Sequence, residues 1–211
     1  MDGDTLVETV RERMATELDR LGSEKALVAT TEARLDRERV LASTLAAERR
    51  AAATFEAWAD DEDGPQARET FARVAAMERN HADRVAALLD DAAATDPDPD
   101  ALHAHLRDFV ATPERVAAGL VARPLVSSRS LLQVINFFVN EADESTADTV
   151  RDFRSETDAL VDDGATLLDA CCADEDDWDR AVDAATETVA VAYEAYAETL
   201  RGMGVDPAPV C

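Results

Sequence analysis

Apolar positions recur along most of the chain at steps of three and four, the spacing of one face of an α-helix. Over residues 4–21, Val7, Val10, Met14, Leu18 and Leu21 predict a short amphipathic helix that Gly22 stops. After the stretch SEKALVATT, a second helix is expected from near Thr31 to about Asp60, where DDEDGP breaks it. A third is expected from Pro65, a residue suited to a first helical turn, to about Asp91. These two long helices, each spanning roughly 40 Å, are joined by a tight turn and predict an antiparallel hairpin, half of a four-helix bundle.

Residues 95–101, TDPDPDA, read as a solvated linker, and ALHAHLRDFVA after it as a helix. The segment bounded by Pro113 and Pro124 is where the chain is expected to cross to the next hairpin. From Ser128 the apolar SLLQVINFFVNEA passes into a more polar helical pattern, as one helix or as two with a break near Glu144 to Ala147. A last helix is expected from about Trp178 to Gly202, with Ala190, Tyr193 and Ala197 on one face. With few glycines and prolines and no long alternating β-branched run, the chain is expected to be all-α. Residues 1–30 read as an N-terminal helix and connector, 31–203 as a helical bundle and 204–211 as a tail.

Charge changes the picture of partners rather than of fold. The chain carries 46 acidic against 21 basic residues, a formal net charge of −25, and Lys25 is its one lysine. Such an excess repels phosphate backbones and anionic lipid, so neither free nucleic acid nor a membrane surface is an expected partner. Arginine replacing lysine amid abundant aspartate resembles the acidity of proteins from salt-in halophiles, where ionic strength screens self-repulsion. Cys171, Cys172 and Cys211 form neither a disulfide framework nor a CxxC motif, which suits a reducing compartment. The acidic start MDGDTLVETV lacks a signal peptide's basic region, and no run of about 18 apolar residues occurs. A cytoplasmic protein is expected.

Candidate chemistry lies where polar residues interrupt the apolar stripes. The second helix reads Leu41, Leu45, Glu48, Ala52, Phe55, Ala59, and the third reads Phe71, Val74, Glu78, His81, Val85, Leu88. Glu48, Glu78 and His81 thus take core positions, where a carboxylate must be neutralised, paired or bound to a cation. Two carboxylates and an imidazole suit iron or manganese, as one ion. The other reading of Glu78 and His81 is a core hydrogen bond with no metal. In the second half, Glu141 beside FFV is a further metal candidate, its other reading being a surface acid; Glu156, Glu187 and Glu194 are the remaining candidate carboxylates. His103 and His105, two apart, point to different helix faces, and Phe55, Trp58 and Phe71 read as core packing.

Two segments resemble a known family. Glu48-Arg49-Arg50-Ala51-Ala52-Ala53-Thr54-Phe55-Glu56-Ala57-Trp58-Ala59 is similar to the first bundle helix of rubrerythrins, ExxAxxx(Phe/Tyr)xx(aromatic)Ala, and MERNHADRVAALL resembles their second. The resemblance covers about residues 35–91 and implies a ferritin-like four-helix bundle, here with an additional N-terminal helix and a helical crossover, of the kind found in halophilic archaea. It also implies that Glu48 and Glu78 are carboxylate ligands and His81 the ring-nitrogen ligand of one iron. The family's second ExxH is absent, His105 being the last histidine, as are the paired CxxC motifs of the rubredoxin-like module.

The expected function is therefore a rubrerythrin-like protein with half a carboxylate–histidine site, serving iron binding or oxidative-stress redox chemistry. The alternative is a non-catalytic helical scaffold or regulator, of the kind that the resemblance associates with a transcription-antitermination label, acting through an unidentified protein partner. A homodimer is compatible with both.

Overall fold

The computed structural model describes residues 1–92 and 97–208, and every regular element among them is helical. Aspartates start five of the helices. Asp2, Asp36, Asp100, Asp143 and Asp174 each accept a hydrogen bond from the backbone N–H three residues on, satisfying donors that a helix start leaves unpaired. Part of the chain's acidity thus has a local structural use.

The elements are α1 (Gly3–Arg13), α2 (Ala15–Leu21), α3 (Lys25–Thr30), α4 (Arg37–Asp61), α5 (Pro65–Ala86), α6 (Ala101–Asp108) and α7 (Thr112–Val116), then a π-helical stretch (Ala117–Ala122), α8 (Arg123–Asn140), α9 (Glu144–Cys171) and α10 (Glu175–Gly202). α4 and α5 form the expected antiparallel hairpin. A second hairpin pairs α8 with α9, and α7, the π stretch and α8 run on without interruption from 112 to 140. The hairpins meet where α5 touches α9, while α10 lies along α7 and the π stretch and gathers α1, α2, α3 and α6 about it. No described helix is long and apolar enough to cross a membrane.

Several boundaries differ from those the periodicity predicts. Residues 4–21 are two helices broken at Met14, because α1 packs on α9 and α10 whereas α2 turns toward α8 and α10. Part of the connector SEKALVATT is helical, as α3. The second helix begins at Arg37 rather than Thr31, since Glu32 and Ala33 take positive φ before the Asp36 cap. The third ends at Ala86, and Leu88 lies in the turn beyond it. Pro113 and Pro124 bound no crossover connection. Pro113 sits in the first turn of α7, where its missing N–H costs nothing, while Pro124 lies just after the π stretch inside the same continuous helix, where it donates no backbone bond. The break left open near Glu144 falls at residues 141–143, where Ala142 adopts φ 57° and the Asp143 N–H bonds back to Phe138. α10 starts three residues before Trp178, and Ala190 is exposed; Ala181, Ala185, Ala192, Tyr196 and Leu200 are among the residues it buries. Part of the linker at residues 95–101 and the end of the tail, with Cys211, lie outside the described residues.

The π stretch has a packing cause. A Cβ on Gly119 would stand 2.5 Å from Cζ3 of Trp58 and 3.2 Å from Cζ of Phe55, so the bare backbone admits the aromatic cluster of Phe55, Trp58 and Phe71. The Arg123 N–H bonds to Ala118 rather than Gly119, and the Arg123 side chain turns back to give its Nε–H to the freed Gly119 carbonyl at 3.4 Å. This contact helps aim the guanidinium inward.

The core falls into two apolar clusters. One contains Phe55, Phe71, Val74, Leu120 and Leu160; the other contains Leu41, Leu45, Val85, Phe138 and Phe153. On α4 the changeover lies between Leu45 and Phe55, on α5 between Ala75 and Ala82, and on α9 between Phe153 and Leu160. Glu48, Glu78, His81, Glu156 and Thr157 occupy these intervals, forming a polar layer between two dry halves.

Candidate metal centre

Glu48 and Glu78 come from facing stripes of the first hairpin, and His81 lies one turn beyond Glu78. Their ligand atoms lie within 4.8 Å of one another, and all three residues are buried. His81 Nδ1 stands 3.3 Å from Glu48 Oε2 and 3.7 Å from Glu78 Oε2. On its other side His81 Nε2 lies 2.9 Å from a Glu156 carboxylate oxygen, and its ring stacks on Phe153 with centroids 4.3 Å apart. Two contacts from α9 thus fix the ring and direct Nδ1 at the carboxylates.

Glu78 divides its oxygens. Oε2 faces His81, while Oε1 accepts a 2.6 Å hydrogen bond from Nη2 of Arg123, itself buried with its guanidinium carbon 5.1 Å from the centre of the Phe55 ring. Burial alone would raise the Glu78 pKa, but Arg123, then the hydrogen bonds from His81 and Glu48, hold it well below the usual carboxylate range. Burial and then the neighbouring Glu78 charge raise Glu48 well above that range. His81 loses charge stability by burial, yet hydrogen bonds to Glu48, Glu78 and Glu156 lift its pKa to about 10. Without an ion, the cluster is a protonated His81 between Glu48 and Glu156, beside an Arg123–Glu78 pair.

The donor set fits a single divalent ion. It offers two carboxylates and one imidazole nitrogen, hard oxygens with a borderline nitrogen, between the two apolar clusters of the core. Burial and the neighbouring groups raise the pKa values of both Glu48 and His81, so an ion held here would compete with protons for these ligands.

Glu141, also a candidate from the sequence, stands exposed at the end of α8 and is not part of this group. His103 is buried and His105 half-buried on α6, on different faces. Cys171 and Cys172 are half-buried free thiols at the end of α9, and burial raises both pKa values, to about 12 and about 11. Glu156, named among the second-half carboxylates, is the one that reaches the histidine. Arg123 and Phe153 were not singled out from the sequence. The signal for Arg123 is its place as the single charge in the apolar run from Val116 to Val126, which asks for a buried acid as partner.

No family model, curated protein or solved structure matches the chain.

Proposed function

We propose that this chain is a ferritin-like helical bundle of rubrerythrin type that holds one iron or manganese ion on Glu48, Glu78 and His81. The observation that carries the proposal is the convergence of these three buried ligand atoms within 4.8 Å, on the two helices that resemble the family's. Two long helical hairpins, α4 with α5 and α8 with α9, joined through α6 and with a polar layer between their apolar clusters, support the bundle assignment. A bound iron or manganese ion would supply one-electron redox chemistry, in keeping with iron binding or an oxidative-stress role.

The chain's own groups define how the centre works. Glu156 and Phe153 orient the His81 ring so that Nδ1 faces Glu48 and Glu78, where it would hold an ion together with them. Arg123 occupies Glu78 Oε1 with a fixed positive charge, which leaves Glu78 one oxygen for a metal and limits the centre to one ion. Glu48 and Glu78 also line a cleft open to solvent, giving small molecules a route to the ion. The test is the metal content of protein purified with iron or manganese. About one ion per chain is expected, falling to near zero in the Glu78→Ala/His81→Ala variant; a ratio near zero in the unaltered protein overturns the proposal.

One observation favours a second reading, a metal-free scaffold or regulator acting through protein partners. The Arg123–Glu78 and His81–Glu156 pairs already balance the layer, so the fold can stand without an ion. A metal-free preparation that is fully folded and retains a protein partner at molar salt is the outcome that this second reading predicts.

A further inference from the structure

A pocket of about 460 Å³, a volume suited to a small molecule, is bounded by α1, α2, α8 and α9 and shares no residue with the metal layer. It lies at the bend at Met14. Arg11 comes from the end of α1, and Leu18 and Asp19 come from α2; α1 packs on α9 while α2 turns to α8, which leaves a corner over the second hairpin.

The charge in this corner runs against that of the chain. Arg11, Arg129 and Arg154 line it with Asp19 and Asp158, an excess of one positive charge in a protein whose formal net charge is −25. With carboxylates so abundant, other arginines at the surface pair with one, as Arg73 does with Asp163 and Arg84 with Asp152. Arg11 and Arg129 form no ion pair among the described residues.

Arg129 is half-buried, and one of its nitrogens is engaged, Nη1 giving a 2.9 Å hydrogen bond to the Leu125 carbonyl. Its Nε and Nη2 have no hydrogen-bond partner among the described residues, yet neither is sealed from solvent, so both stay accessible where the residue lines the pocket. The stem is fixed against Gly22, where a Cβ would stand 3.4 Å from Arg129 Cγ. Burial is the first cause that lowers the Arg129 pKa, and Arg11 and Arg154 add to it; Asp19 and Asp158 act in the opposite sense without restoring the ordinary value. The guanidinium is thus short of negative charge. Arg154 is held at the wall, its Nε–H on Ser128 Oγ at 3.1 Å and its Nη2 3.8 Å from Asp158 Oδ2.

The class of ligand follows from this count. One excess positive charge is met by a monoanion, whereas a phosphate ester, close to doubly charged above its second pKa of about 6, leaves uncompensated negative charge beside Asp19 and Asp158. The parallel N–H groups of a guanidinium match the two oxygens of a carboxylate. Leu18 and Leu125, both buried, and Leu132 supply apolar wall for the rest of the molecule. We propose that this pocket binds an organic carboxylate, its charged end on Arg129 and Arg11 and its apolar body against Leu18, Leu125 and Leu132.

The test compares three probes that share one apolar body, 2-naphthoate, 2-naphthol and 2-naphthyl phosphate, titrated calorimetrically into the full chain at about pH 8, above that second phosphate pKa. The salt concentration is the lowest at which circular dichroism shows full helix content. Saturable binding of 2-naphthoate at one per chain is expected, about tenfold tighter than either other probe. Arg129→Met, which keeps the stem on Gly22, and Arg11→Met, an exposed change that spares the fold, are each expected to weaken 2-naphthoate about tenfold. Asp158→Asn, which raises the excess to two positive charges, is expected to strengthen 2-naphthyl phosphate about tenfold, a gain that no loss of folding can imitate. Absence of saturable 2-naphthoate binding overturns the proposal, as does 2-naphthol or 2-naphthyl phosphate binding as tightly in the unaltered protein. Unchanged 2-naphthoate affinity in Arg11→Met also overturns it, and this variant decides the matter if Arg129→Met does not fold.

Discussion

Arg123 and Glu78 form a 2.6 Å ion pair with side-chain exposures of 4% and 1%, in the layer that separates the two halves of the core. A buried pair of this kind adds little net stability over an apolar substitute, yet breaking it strands a charge. Arg123→Met is therefore expected to destabilise the metal-free protein by about 3–5 kcal/mol in urea unfolding. In Arg123→Met/Glu78→Leu, where no charge is stranded, most of that loss should return. If the single and double variants are equally unstable, the pair is not what holds this layer.

The protonation of the layer gives a pH dependence with a definite sign. His81 and Glu48 both have folded pKa values raised above their unfolded ones, so each binds its proton more tightly when folded. Their contribution is full below the unfolded values, about 6.5 for His and about 4.3 for Glu, and is lost as pH rises through the folded values, which for His81 is about 10. Glu78, with a depressed pKa, acts in the opposite sense and loses its contribution only in acid. Metal-free protein should therefore lose stability between pH 6 and pH 9, and Glu48→Gln should flatten that slope by removing one of the two retained protons. Because an ion replaces these protons, metal affinity should rise over the same interval. Urea midpoints and chelator competition at several pH values measure both.

The first hairpin was legible in the sequence because its helices keep an unbroken three-and-four rhythm. Glu48, Glu78 and His81 stood out because they replace apolar residues at positions that rhythm assigns to the core. Their convergence follows from the antiparallel pairing of two long helices, which is why Glu48 could be placed beside Glu78 and His81, about 30 residues further on. The second hairpin was harder to read. Its first helix contains two prolines and a glycine, residues that ordinarily interrupt a helix, and the space that Gly119 leaves for Trp58 is a tertiary contact the sequence does not display. The break at Met14 has no local signal, since the apolar rhythm continues across it while the partner helices change. Glu156 could be named as a carboxylate but not assigned to His81, because that contact depends on how α9 packs against α5.

The Gly119 contact gives a test of the packing cause for the π stretch. Gly119→Ala places a methyl group 2.5 Å from Cζ3 of Trp58, a buried ring that also lies against Phe55 and Phe71. Relief requires the helix to move away from α4, which also draws Arg123 back from Glu78. A loss of roughly 1–3 kcal/mol is expected from overpacking. Because Trp58 is one of two tryptophans in the chain, a fluorescence change should accompany the loss. Trp58→Phe in the same background should recover part of it by vacating the space that the methyl group needs. An unchanged unfolding midpoint in Gly119→Ala would mean that the aromatic cluster accommodates the methyl group and that the π stretch has another cause.

Glu156 offers the sharpest separation of metal chemistry from folding, because its side chain is 48% exposed while the imidazole it holds is fully buried. By accepting the Nε2–H, the carboxylate keeps that proton on Nε2, so that Nδ1 is the nitrogen that would give up its proton to an ion held by Glu48 and Glu78, and it would stabilise the positive charge shared with such an ion. Removing such a partner weakens metal binding about 10- to 100-fold in comparable sites, whereas losing one half-exposed hydrogen bond changes fold stability by only about 1 kcal/mol. Glu156→Ala should therefore bind iron or manganese at least tenfold more weakly in chelator competition, with a nearly unaltered metal-free urea midpoint. Glu156→Gln, whose amide oxygen can still accept from Nε2, should fall between the two. Nitrogen chemical shifts of the His81 ring supply an independent readout: the proton should reside on Nε2 in the metal-bound protein and lose that preference in Glu156→Ala. A metal affinity insensitive to both substitutions would place the ion elsewhere, or leave His81 out of its coordination.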